Sequence, residues 1–225
     1  MATRILSREE IMFRNRTEAG RQLAGHLQEL AGPDALVLAI PRGGVVVGAA
    51  IAAALQCELD VINVRKLGAP FNPELAIGSI MEGAAEPYLN KQIISDLAVP
   101  ADYIRDETER QRKEAERRAA RYRNGRRPAR IKDRTVILTD DGLATGATMI
   151  SSIHGVKAQQ PARLIVALPV GPADTIERIG RMVDDVLCLA CPPFFGAVGQ
   201  FYADFTQTSD EEVVELLEKL EKATG

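Results

Sequence analysis

Apolar residues follow two rhythms along this chain. Residues 35–40, 59–64, 135–139, 164–168 and 185–190 are short, nearly continuous apolar runs. That is the pattern of strands buried on both faces of a parallel sheet. Residues 75–81 make a candidate third strand, after the first two runs. Helical stretches lie between the runs: Ala-rich 45–55, a segment from about 148 to 157, and one near 173–182. Leu23, Leu27 and Leu30 share one stripe of an amphipathic helix ahead of them. Pro41-Arg42-Gly43-Gly44 breaks the first run, Arg65-Lys66 ends the second, and Gly68, Pro70 and Pro73 mark a loop after it. Strands alternating with helices predict an α/β fold, a mostly parallel sheet with helices on both faces.

Two segments depart from that rhythm. Residues 102–127 read as a long charged helix with ten Arg or Lys and six Asp or Glu, a net charge of +4. Asp102 is placed to cap it, and Gly125 with Pro128 to end it. Most of its charges read as a solvated face laced with i,i+4 pairs. The other reading is a basic wall or lid beside a polyanionic ligand. Its apolar positions, Tyr103, Ile104, Ala115, Ala119 and Tyr122, are too few for a separate core. The helix must lean on the main domain or on another subunit. The last segment is a helix capped by Asp210, with Val213, Val214, Leu216, Leu217 and Leu220 as a docking stripe.

Composition narrows the function classes. The 225 residues are 46% hydrophobic and 26% charged, which fits one globular domain with a real core. A net charge of -3 argues against nucleic acid as a partner, and no Trp with 4% aromatics argues against a base-stacking platform. No apolar run approaches the ~18 residues of a membrane helix. Residues 1–10 lack the apolar core of a signal peptide, so a cytoplasmic location is expected. Cys188 and Cys191 form a lone Cys-x-x-Cys with no second ligand pair, and they read as structural thiols. His26 and His154 also read as structural. Phe194, Phe195, Phe201, Tyr202 and Phe205 concentrate the aromatics. They fit either a cover over a base or, the favoured role, an anchor for the C-terminal helix.

The chemistry gathers after residues 135–139. That strand delivers Asp140 and Asp141 to its carboxyl end, where open α/β sheets place ligands. Gly142, Leu143, Ala144, Thr145, Gly146, Ala147 and Thr148 then form a small-residue loop opening a helix. Its backbone N–H groups and the helix N-terminus suit a phosphate, and Thr145 and Thr148 add hydroxyl donors. Carboxylates repel phosphate, but they accept hydrogen bonds from the sugar hydroxyls beside it. The stretch therefore reads as a site for a ribose 5-phosphate. It lacks the Gly-Lys-Thr/Ser ending of a P-loop and the G-x-G-x-x-G of a dinucleotide site.

This run resembles the phosphoribosyl pyrophosphate motif of type I phosphoribosyltransferases. The wider chain is similar to bacterial phosphoribosyltransferases of unassigned substrate. That likeness rests on Pro41-Arg42-Gly43-Gly44, Arg65-Lys66-Leu67-Gly68-Ala69-Pro70, Glu74-Leu75-Ala76-Ile77-Gly78 and Val198-Gly199-Gln200-Phe201-Tyr202. The resemblance implies a Rossmann-like parallel sheet core, about 31–82 and 132–190, with a mostly helical hood from about 1–30, 83–131 and 191–225, all one domain. It implies Mg2+ chelated mainly by the ligand, with no metal-ligating residue assigned. It places pyrophosphate on Arg42, Gly43, Gly44, Arg65 and Lys66, the last two beside a mobile loop. Arg42, Lys66, Asp140 and Asp141 are the expected catalytic set. The implied reaction moves the phosphoribosyl group to a nucleobase or similar acceptor. A ligand sensor without turnover and, less favoured, a sugar-phosphate hydrolase are the alternatives. A homo-oligomer is left open.

Overall fold

The computed structural model describes residues 2–32 and 34–224, without the side chains of residues 74, 223 and 224. Six strands form one parallel sheet: β1 (Ala2–Ser7), β2 (Ala35–Ala39), β3 (Glu58–Val61), β7 (Thr135–Thr139), β8 (Arg163–Val170) and β9 (Asp185–Ala190). Their order is β1-β9-β8-β7-β2-β3. The apolar runs are buried on both faces, as crossover helices require. On one side α1 (Arg16–Ala31) packs on α2 (Gly43–Leu55). Asn15 caps α1 by accepting the Glu18 N–H at 3.0 Å, and Leu23 and Leu27 are fully buried. The other side carries α5 (Ala147–Ala158) and α6 (Ala173–Gly180).

Between β2 and β7 the winding reverses. From β2 the chain steps to β3 in one direction, while β7, β8 and β9 extend in the other. The loops leaving β2 and β7 therefore diverge around a crevice at the carboxyl ends of both strands, the usual ligand position in such sheets.

The hydrophobic pattern misplaced some elements. The run at 59–64 is not one strand: β3 stops at Val61, and β4 (Val64–Ala69) starts a separate antiparallel sheet with β5 (Asn72–Met81) and β6 (Tyr88–Leu89). Arg65 and Lys66 thus sit inside a hairpin strand, not at the end of a parallel one. The break is at Asn63, whose carbonyl accepts from Glu82 N–H at 3.1 Å. No Gly or Pro marks the change of direction, so an apolar count runs through it. The expected loop at Gly68, Pro70 and Pro73 is only a tight hairpin tip at Pro70–Phe71. β1, in a segment assigned to the hood, is an edge strand of the main sheet.

A short α3 (Lys91–Asp96) follows β6, and the charged segment comes next as α4 (Ala101–Arg123), closed by Asn124 in the left-handed region. It lies against β3, β4, β5 and α7 (Asp210–Thr224) through the buried Ala115, Ala119 and Tyr122. Ser209, not Asp210, caps α7: its Oγ accepts the Glu212 N–H at 3.0 Å. Val213 and Leu217 are fully buried where α7 docks on α2 and β3. Among the described residues no helix is long and apolar enough to cross a membrane.

Candidate active site

Asp140 and Asp141 follow directly on β7, and the Pro41–Gly44 loop follows β2 beside them. The two loops touch. A Cβ on Gly44 would lie 2.8 Å from Asp140 Cα, and one on Gly43 would meet the Asp141 carboxylate and lie 2.7 Å from Arg16 Nε. Only glycine allows this approach. The Pro41–Arg42 peptide is cis. The sequence motifs, about a hundred residues apart, thus form one surface.

The carboxylates differ in their partners. Asp141 Oδ2 pairs with Arg16 Nε at 2.7 Å. Arg16, the first residue of α1, also donates from Nη1 to the Thr206 carbonyl at 2.8 Å, and its guanidinium lies 3.9 Å from the Phe205 ring centre. Tyr202 Oη donates to the Asp141 carbonyl at 2.6 Å. Asp140 Oδ1 accepts from the Asp141 backbone N–H at 2.8 Å, and among the described residues no cation pairs with it. Burial, with the Asp141 charge beside it, pushes Asp140 well above the usual carboxylate range. Burial raises Asp141 as well, against the pull of Arg16. Burial likewise raises the Tyr202 phenol.

Beyond the acids, Gly146 at φ 73° turns the chain into α5. The first intrahelical bond runs from Ile150 N–H to the Gly146 carbonyl at 2.8 Å, so the first-turn amides have no partner within the helix, and Ala147 N–H donates to Thr145 Oγ1 at 3.4 Å. Leu143 N–H fixes the loop to the Val170 carbonyl at 3.1 Å, and Arg178 fixes the Thr145 carbonyl at 2.8 Å. Thr145, Ala147 and Thr148 are exposed. This end of the crevice can receive a phosphate on backbone amides and a positive helix end.

A polar cleft of about 560 Å³ opens between the Pro41–Arg42 turn, Thr148 and helix α4. Arg42 and Arg65 both line it, joined by Arg117, Arg118 and Arg121 of α4. Lys66, next to Arg65 on β4, is not among the lining residues; neighbouring strand residues face opposite sides. Of the expected set, the structure brings Gly43 and Gly44 against Asp140 and Asp141, and Arg42, Arg65 and Thr148 to the cleft beside them, whose lining does not include the two acids. Lys66 stands apart from the cleft.

Sequence reasoning missed Arg16, and it preferred a solvated face for α4 over the basic wall that Arg117, Arg118 and Arg121 make along the cleft. The +4 excess of the charged segment was the available signal for the arginines. Nothing local marks Arg16, because its partner is distant in the chain. The aromatic group has a different task from anchoring α7 alone. Phe13 N–H donates to the Phe201 carbonyl and Ala203 N–H to the Phe13 carbonyl, each at 2.8 Å. Phe13 packs on Tyr202, and Tyr202 on Phe205, which seats Arg16 beside Asp141. Phe194 is 77% exposed. Cys188 and Cys191 are buried, their Sγ atoms 3.7 Å apart. His26 is exposed on α1, and His154 stacks on Tyr88 with ring centres 3.6 Å apart.

A six-stranded parallel sheet with this switch-point crevice is the phosphoribosyltransferase fold. The phosphoribosyl transferase domain model matches residues 14–206, and the chain belongs to that family. It is 43% identical over 92% of its length to the "Putative phosphoribosyl transferase Rv0571c" of Mycobacterium tuberculosis and to its counterpart MT0597 from another strain. The chain spans 47% of the length of those two proteins. The crystal structure of TT1426 from Thermus thermophilus is 41% identical, with a TM-score of 0.85, over 93% of this chain and 99% of that one.

Proposed function

We propose that the protein transfers the phosphoribosyl group of 5-phosphoribosyl-1-pyrophosphate to a nucleobase or similar acceptor, releasing pyrophosphate. One observation carries this reading: the Asp140–Asp141 pair sits between a loop opening a helix N-terminus and a second loop bearing Arg42. The loop from Gly142 to Thr148 takes the 5-phosphate on its amides and hydroxyls. Asp140 and Asp141 accept hydrogen bonds from the ribose hydroxyls. Arg42, Gly43 and Gly44 face the pyrophosphate, with Arg65 nearby.

Two carboxylates offer few hard oxygen donors, and among the described residues no group of three or more His, Cys, Asp or Glu could hold a metal. A Mg2+ there would be held chiefly by the oxygens of the ligand and by water, beside Asp140 and Asp141. The ion, when bound, neutralises pyrophosphate charge. The acceptor nitrogen forms its bond to the anomeric carbon as the bond to the pyrophosphate oxygen breaks, and the nitrogen's proton passes to solvent. The bonding pair leaves with pyrophosphate. Arginines stabilise that charge, the carboxylates stabilise the cationic sugar, and the loops hold the partners in line.

A pyrophosphate-release assay with phosphoribosyl pyrophosphate, Mg2+ and a panel of bases tests the reaction. Release that depends on one acceptor supports transfer. Tight ligand binding with no release for any acceptor would favour a sensor that keeps the site without turnover.

A further inference from the structure

The cleft beside Arg42 holds more positive charge than the chain neutralises. Arg117 and Arg118 share one carboxylate, Glu114, at 2.8 Å each. Arg121 pairs with Asp210 at 2.8 Å and with Glu211 at 3.2 Å, and Arg42 reaches the same Asp210 at 3.9 Å, so among the described residues the five cleft arginines have three carboxylates between them. Arg65 donates from Nε to the neutral amide of Gln111 at 3.0 Å. Among the described residues no carboxylate lies within ion-pair distance of Arg65. Burial and the nearby Arg118 charge lower its pKa. At the bend between β3 and β4, Asn63 also lines the cleft, is 7% exposed, and leaves its Nδ2 without a hydrogen-bond partner. A buried amide N–H without a partner is rare in native proteins, and here it stands beside crowded guanidinium groups. Both features call for the same complement, a group rich in acceptor oxygens with several negative charges.

We propose that α4 is a diphosphate clamp, in which Arg117, Arg118 and Arg121, with Arg65 and Asn63 Nδ2, grip the pyrophosphate from the side opposite the Pro41–Gly44 loop. This rests on the phosphoribosyl reading above and adds to its pyrophosphate site the three α4 arginines and Asn63. The clamp is rigidly based. At the C-terminal end of α4 the buried Arg123 donates from Nε to Asp60 at 2.8 Å and from Nη2 to Glu82 at 2.8 Å. At the other side of the cleft Tyr122 Oη donates to Asp210 at 2.9 Å. Glu114 and Asp210 hold the arginines in place, and on binding those carboxylates share them with phosphate oxygens. Because the clamp contacts no sugar, free pyrophosphate binds to it alone and inhibits the forward reaction as a retained product.

Calorimetry on the full chain with inorganic pyrophosphate, and separately with ribose 5-phosphate, tests this. The wild type is expected to bind both. Arg65→Ala and Arg118→Ala each weaken pyrophosphate binding ~10-fold or more, with ribose 5-phosphate changed less than ~2-fold, the scale of one lost charge-assisted hydrogen bond. Arg118→Lys restores part of the loss, and Asn63→Asp, which places a carboxylate at the cleft, weakens pyrophosphate binding more than Asn63→Ala. Unchanged pyrophosphate affinity in Arg65→Ala and Arg118→Ala proteins that melt like the wild type overturns the clamp and leaves the phosphoribosyl reading intact. Wild-type binding of neither probe overturns both.

Discussion

Arg16 Nε and Asp141 Oδ2 lie 2.7 Å apart although 125 residues separate them in the chain. The pair joins the start of α1 to the loop after β7 across the mouth of the crevice. Arg16 is also tied to the 194–206 segment, through the Thr206 carbonyl and the Phe205 ring. One side chain therefore links three parts of the site, and it sets the charge and orientation of a carboxylate assigned to the ribose.

Arg16→Ala leaves Asp141 buried without its counter-charge. Breaking a buried pair costs about 3–5 kcal/mol, and the Asp141 side chain retains some exposure, so a loss of about 3 kcal/mol in chemical denaturation is expected. A loss under about 1 kcal/mol would show the pair to be no more than a surface contact.

Asp140 gives a pH signature. Burial holds its folded-state pKa above the unfolded value, so the folded protein binds this proton more tightly. The stability it contributes is full below the unfolded pKa and is lost as pH rises through the raised one. Asp140→Asn removes that titration while keeping an oxygen to accept the Asp141 N–H. The melting temperature of the variant relative to wild type should therefore rise as the pH climbs from about 4, where an unfolded aspartate titrates, toward neutrality. A difference independent of pH would contradict the assignment.

The small-residue loop is tested by Ala147→Glu. Ala147 is exposed at the first turn of α5, so the fold should survive. The new carboxylate would stand where the 5-phosphate is placed, and ribose 5-phosphate affinity should fall by ~100-fold or more, as like charges meet at close range. A folded variant with wild-type affinity would move the phosphate elsewhere.

Much of this arrangement was legible in the sequence, for local reasons. Residues 135–148 carry strand, acids, loop and helix start in one stretch, so period and turn chemistry reveal them together. The runs at 35–40 and 185–190 are buried on both faces and need no partner to be recognised. What stayed hidden depends on distant pairing. The strand break at Asn63 carries no Gly or Pro and is stabilised by Glu82, a neighbour only in the folded chain. Arg16 is one cation at a helix start until Asp141 meets it. The α4 arginines read as a solvated face because Glu114 and Glu109 do form the expected local pairs with Arg117, Arg118 and Lys113. Only the approach of α4 to β4 and α7 turns Arg117, Arg118 and Arg121 toward the crevice.

The central claim is that this crevice binds a phosphoribosyl ligand, and calorimetric titration with phosphoribosyl pyrophosphate and Mg2+ tests it most directly. The account predicts saturable binding that also raises the melting temperature, with ribose 5-phosphate binding more weakly because it leaves the cationic cleft unfilled. Binding of neither ligand at ~1 mM, where even a Kd in that range would register, would contradict it.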